Sequence, residues 1–85
     1  MARTRGNTAL QLEQGQRIHK PARHITTRES QILKRVARGR TNREIAAALH
    51  ITERTAKAHL SAIFDFFGVE NRTQAVIAGQ RAGLL

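Results

Sequence analysis

Residues 41–68 read TNREIAAALHITERTAKAHLSAIFDFFG, and this stretch decides the fold. Thr41 and Glu44 have the spacing of a capping box, in which the threonine hydroxyl accepts from the glutamate amide and the carboxylate reaches back to the cap backbone. Ile45, Ala46 and Leu49 then recur at helical spacing. Only His50 and Ile51 separate this short helix from Thr52, the next cap candidate. A longer helix follows from about Glu53 to Phe67, stopped by Gly68 just past its end. At about 100° per residue, Ala56, Leu60, Ile63 and Phe67 fall on its core face. The opposite face holds Arg54, Lys57, Ala58 and Ser61. A short capped helix, a tight turn and a longer helix with an outward stripe form the pattern of a helix-turn-helix.

The same rhythm extends in both directions. Upstream, Thr26-Thr27-Arg28-Glu29 is a second capping box, followed by Ile32, Leu33, Val36 and Ala37 and ended by Gly39. Downstream, Asn71-Arg72-Thr73-Gln74 opens a fourth helix that carries Ala75, Val76 and Gly79 inward and ends near Gly83. Four caps, three glycine stops and no strand-like alternation predict an all-α, four-helix domain over residues 25–85.

Residues 1–24 read differently. Residues 1–25 hold Arg3, Arg5, Arg17, Lys20 and Arg23 against Glu13, and their apolar content is thin, chiefly Leu10, Leu12, Ile18 and Ile25. So little apolar surface hardly offsets the cost of ordering, which predicts a flexible basic arm with at most a turn or two of helix around Thr8–Gln14. Met1–Gly6 has the arginine content of a minor-groove arm and equally of a solubilising tail.

The whole chain has 85 residues, 15 Lys or Arg against 6 Asp or Glu, and a formal charge of +9. A domain this small has a modest core and little room for a deep pocket. The charge points to a polyanion, most often nucleic acid. The absence of cysteine excludes a disulfide scaffold, a Cys-bearing zinc site and a thiol nucleophile. No secretory leader or long apolar run is present, and a cytoplasmic location is the default.

No enzymatic constellation emerges, and neither a metal site nor a cofactor is expected. Glu13, Glu29, Glu44, Glu53, Asp65 and Glu70 include three that cap or begin helices, and no two are placed for acid–base work. His59 and Ser61 point to different faces of one helix. His19, His24 and His50 lack partners at zinc spacing.

The stripe Arg54, Lys57, Ala58, Ser61 suits a major groove, where Lys or Arg reaches guanine O6 and N7 and Ala touches a thymine methyl. A solvated helix face has the same composition; the short helix before it favours the groove. Arg40 and Arg43, at the start of the second helix, are the best phosphate-clamping candidates, with Lys34 and Arg35 left as solubilising charge. Phe66 is expected at the surface, as a contact for a second protein or for the arm, or simply as a tolerated aromatic.

Thr27-Arg28-Glu29, Gly39, Asn42-Arg43-Glu44-Ile45-Ala46, Leu49, Ile51-Thr52, Thr55, Lys57, His59, Ile63, Gly68-Val69, Asn71 to Val76 and Gly83-Leu84 together resemble the LuxR-type DNA-binding domain, also called GerE-like or NarL-like. The resemblance implies a bacterial transcription regulator, nucleoid-associated, with dimers docked on inverted half-sites of double-stranded DNA. It implies base contacts from Lys57, Ala58 and Ser61 and phosphate contacts from Thr41, Asn42, Thr52, Thr55 and His59. It also implies weak pairing through the fourth helix, where Thr73, Ile77, Gln80 and Arg81 face outward. This sequence departs from the family at Ala56, where Val is usual, at Phe66, where Lys is usual, and at Ser61, often a longer polar residue. Relatives usually carry an N-terminal receiver or ligand-binding domain; these residues hold neither, so the expectation is a stand-alone regulator controlled by abundance, a partner protein or a missing portion of a longer chain. The competing reading is an interaction module that binds another regulator or RNA polymerase through Phe66 and the fourth helix, with DNA secondary.

Overall fold

The computed structural model describes residues 23–85; the first 22 residues, which include most of the expected basic arm and the Thr8–Gln14 turns, lie outside it. Four helices follow in order: α1 Thr27–Ala37, α2 Asn42–Leu49, α3 Glu53–Phe67 and α4 Arg72–Arg81, with no strand among the described residues.

Each helix begins on the side chain expected to start it. The Thr26 hydroxyl accepts from the Glu29 amide at 3.0 Å, and Glu29 accepts from the Thr26 amide at 3.0 Å. Thr41 and Glu44 repeat this exchange at 3.1 and 2.8 Å. Thr52 accepts from the Thr55 amide and Asn71 from the Gln74 amide. Gln74 in turn accepts from the Glu70 amide, one residue outside the cap. Such caps contribute about 1 kcal/mol each by satisfying amides that have no partner inside the helix.

All four helices end alike. The amides of Arg40, Ile51, Val69 and Leu84 donate to the carbonyls of Arg35, Ala46, Phe64 and Gly79 at 3.1, 3.0, 2.9 and 2.8 Å. This closure needs a left-handed residue just before the donor. Glycine supplies it three times, at Gly39, Gly68 and Gly83, but in the turn between α2 and α3 the residue is His50, at φ 58°. The turn contains no glycine, so its left-handed residue carried no signal in the sequence. A side chain with a Cβ costs about 1 kcal/mol or more in that region. His50→Gly is therefore expected to stabilise the domain by about 0.5 kcal/mol, glycine's greater freedom in the unfolded chain offsetting part of the gain. An unchanged or lower thermal midpoint in His50→Gly counts against this account of the turn.

Ile32, Leu33, Val36, Ile45, Ala46, Ala56, Leu60, Ile63 and Ala75 form one buried core, fed by all four helices. α3 runs through its centre and packs on the other three, while α1 also packs on α2 and α4. No Cα of α2 comes within 8 Å of one of α4. Phe67 and Val76, expected inside, are half-buried, and Ala37 is exposed. Phe67 ends α3 at the rim of a small core, and Ala37 sits in the last turn of α1, where the chain has begun to leave it. Gly79 is buried because α4 lies close to its neighbours: a Cβ there would come within 3.0 Å of Leu33 Cδ2 and Leu85 Cδ1.

The only buried charge among the described residues is Glu29, 5% exposed. Arg23 donates to both of its carboxylate oxygens, at 2.7 and 2.9 Å, and also to the Ala62 carbonyl of α3 at 3.4 Å. Its guanidinium lies 5.3 Å from the centre of the Phe66 ring. Arg23 is thus docked on the helices, although the composition shift near residue 25 assigned it to the arm. The Phe66 ring, offered from the sequence as a possible contact for that arm, receives its first docked residue.

Candidate nucleic-acid interface

α3 presents Arg54, Lys57, Ala58 and Ser61 to solvent, all four exposed. The core of the domain lies behind them, so this face has no competing packing role. Asp65 continues the same stripe one turn further and is also exposed. A carboxylate there repels phosphate, which confines close approach of a polyanion to the N-terminal two-thirds of the helix. Helix-turn-helix recognition helices use that end.

Beside this face runs a shallow groove. At one end Gly39, Arg40, Thr41, Asn42 and Arg43 from the start of α2 meet Glu53 and Lys57 of α3 and Arg72 and Thr73 of α4. It continues past Leu60, Ser61 and Phe64 to Glu70 and Asn71. The first turns of α2 and α4 therefore both flank α3, bringing two positive helix ends and four cations, Arg40, Arg43, Lys57 and Arg72, to one strip. Glu53 is the one carboxylate lining the Lys57 end of it.

Hydroxyls and amides along the strip retain donors. Thr41 accepts from Glu44, and its own hydroxyl proton is available to an anion. Thr52 donates to the Thr55 hydroxyl at 3.0 Å, so the Thr55 proton is directed elsewhere. Asn42 accepts from Arg72 through Oδ1. Because a guanidinium can only donate, this fixes which end of the amide faces Arg72 and leaves the Asn42 amide hydrogens for another acceptor. His59 is half-buried on the flank of α3.

The fourth helix divides between two surfaces. Ile77 is 43% exposed and lines a second, apolar depression with Phe66, Phe67, Val69, Ala78, Arg81 and Leu84. Thr73, grouped with Ile77 on the helical wheel, lines the Lys57 groove instead. Gln80 is exposed and lines neither. Arg72 carries no mark of its role in the sequence, because the contacts that matter join residues 30 and 32 positions apart, beyond the reach of local spacing.

The architecture and this face define the class: a helix-turn-helix DNA-binding domain of four helices. A family profile, bacterial regulatory proteins of the luxR family, matches residues 23–78, and the chain belongs to that family. It is 51% identical over 53 residues to the response regulator protein VraR of Staphylococcus aureus, covering 62% of this chain and 25% of that one. VraR of Staphylococcus saprophyticus matches to the same extent. The chain thus spans about a quarter of the length of these curated relatives. Among solved structures, the transcription factor GerE superposes with a TM-score of 0.69 at 33% identity, over 74% of this chain and 96% of that one. The response regulator ChrA of a heme-sensing two-component system does so with a TM-score of 0.74 at 41% identity, over 78% of this chain and 33% of that one. No described helix is long and apolar enough to cross a membrane.

Proposed function

We propose that this protein regulates transcription by binding double-stranded DNA at specific sequences, as a binding protein and not as an enzyme. α3 lies in the major groove, with Lys57, Ala58, Ser61 and Arg54 at base edges. Arg40, Arg43, Thr41, Asn42, Thr52, Thr55 and His59 hold the phosphates on either side. Two copies pair weakly through Ile77, with Gln80 and Arg81 at the edge of the contact, and occupy inverted half-sites. The observation that carries this reading is the exposed α3 stripe flanked by two capped helix N-termini and four cations. Its response-regulator relatives suit the same output role, with the controlling signal arriving from outside residues 23–85.

Selection from a random duplex pool, followed by binding titrations across salt concentrations, tests it. An enriched motif with two-fold symmetry is expected. Each phosphate neutralised contributes about 0.9 to the slope of log K against log salt, so three or four cations per copy give a slope of roughly −3 per domain. Sedimentation without DNA is expected to show mostly monomer at micromolar concentration, since so small an apolar patch supports only weak pairing. A pool with no enriched sequence, or a slope near zero, rejects the reading and favours an interaction module; a tight free dimer rejects pairing on DNA.

A further inference from the structure

We propose that Arg72 is a positioning residue for DNA binding, holding the first turn of α2 at a fixed distance from α4 so that its phosphate-binding groups stay in register with Lys57. The proposal rests on the DNA-binding reading above and adds to it a residue outside the contact set.

The geometry begins with a gap. No Cα of α2 lies within 8 Å of one of α4; each helix enters the core against α1 and α3. Their N-termini nevertheless border the same groove as Lys57. Packing on α1 and α3 sets the spacing between these first turns only indirectly. Arg72, the first residue of α4, crosses this gap. One guanidinium nitrogen donates to the Arg40 carbonyl at 3.0 Å and another to Asn42 Oδ1. Two donors on one rigid plane fix both the position and the orientation of what they hold, which a flexible ammonium cannot do.

The two acceptors are informative. The Arg40 carbonyl lies in the link between α1 and α2, outside either helix ladder. Asn42 is the first residue of α2, and its remaining amide hydrogens face away from the tie. Arg72 thus grips the two residues on either side of the Thr41 cap. Both acceptors are neutral, so the tie leaves the positive charge of Arg72 uncancelled in a groove that already holds Arg40, Arg43 and Lys57. An arginine with a purely structural task is commonly matched to a carboxylate, as Arg23 is to Glu29 in this same protein. Assembling four like charges opposes folding slightly and favours only an anion. The tie therefore orders the anion-facing turn and adds to the potential that attracts it.

A double-mutant cycle tests this in the whole chain, using the duplex recovered by selection. Arg72→Gln and Asn42→Ala are each expected to weaken binding about tenfold, the scale of a charge-assisted hydrogen bond. The double variant is expected to lose clearly less than the product of the two single losses, because both remove the same tie while Arg72→Gln also loses a charge and Asn42→Ala a phosphate contact. Arg72→Lys keeps the charge but not the fork and is expected to remain nearly as weak as Arg72→Gln. Amide exchange at Glu44 and Ile45, whose amides bond to Thr41, is expected to quicken in Arg72→Gln while the thermal midpoint moves by only a few degrees, which a general loss of folding does not produce. Wild-type binding with unimpaired Arg72→Gln, full rescue by Arg72→Lys, or additive losses in the cycle each overturn the proposal. A wild-type protein that selects no duplex overturns the DNA reading itself and this inference with it, while the exchange data still report whether the tie exists.

Discussion

Lys57→Glu is expected to weaken binding to the selected duplex by two orders of magnitude or more. Lys57 is exposed at the junction of the outward α3 stripe and the cation-lined groove, with Arg40, Arg43 and Arg72 around it. Losing a cation at a base edge removes about 1–3 kcal/mol of discrimination. A carboxylate in its place also faces the phosphates, and its repulsion adds a loss of similar size at low salt. Lys57→Gln separates the two effects, with an expected loss of about tenfold. Because the side chain is exposed, the folded fraction should not change, and circular dichroism serves as the control. Binding within about threefold of wild type in Lys57→Glu would show that α3 does not face the DNA.

The second large effect is on stability. Glu29→Ala is expected to cost about 1–2 kcal/mol, a large share of what a domain this small possesses. It removes the carboxylate half of the capping box at Thr26, while Arg23, 42% exposed, turns to water and adds little. Glu29→Gln, which keeps one acceptor, should cost less. The same carboxylate makes stability fall in acid. Burial raises its pKa, but the hydrogen bonds from Arg23 and from the Thr26 amide, the charge of Arg23 and the Thr26 hydroxyl outweigh this and hold it below the ordinary 4.5. A pKa depressed in the folded state stabilises fully above its unfolded value, and this contribution disappears as pH drops through the folded value. Thermal midpoints from pH 7 down to pH 3 should therefore fall below about pH 4.5, and less steeply in Glu29→Gln. Identical acid limbs in the two proteins would assign the acid sensitivity to other carboxylates.

Much of the fold is legible because its instructions are local. Thr26, Thr41, Thr52 and Asn71 each bond an amide three residues ahead, and the glycines at 39, 68 and 83 end the helices that they follow. Such signals sit within one turn of their effect. The outward stripe of α3 is likewise a matter of angle along one helix. What escaped depends on distance in sequence. Arg23 reaches Ala62, and Arg72 reaches Arg40 and Asn42, through contacts 39, 32 and 30 positions apart. Composition placed Arg23 in the arm because apolar density rises only after it, whereas a single buried carboxylate decides where it docks. His50 escaped for a different reason, since left-handed backbone is legible only when a glycine occupies it. Thr73 shares a helical face with Ile77, but the end of α4 that carries it lies beside Asn42 and Lys57, which no wheel records.

The common ending of the four helices has a consequence for how the chain reaches this structure. Each helix carries its own start and its own stop within a few residues, which biases every segment locally, but helices of 8 to 15 residues persist only once packed. What must be found by diffusion is the small core on α3 and the two arginine ties. Domains built mainly from such short-range contacts fold on a scale of microseconds to milliseconds. The ties from Arg23 and Arg72 span 39, 32 and 30 positions, less than the packing of Leu33 beside Gly79, 46 positions away. The turn proposed to grip phosphate is thus organised in the step that docks α4 on the core, not after it.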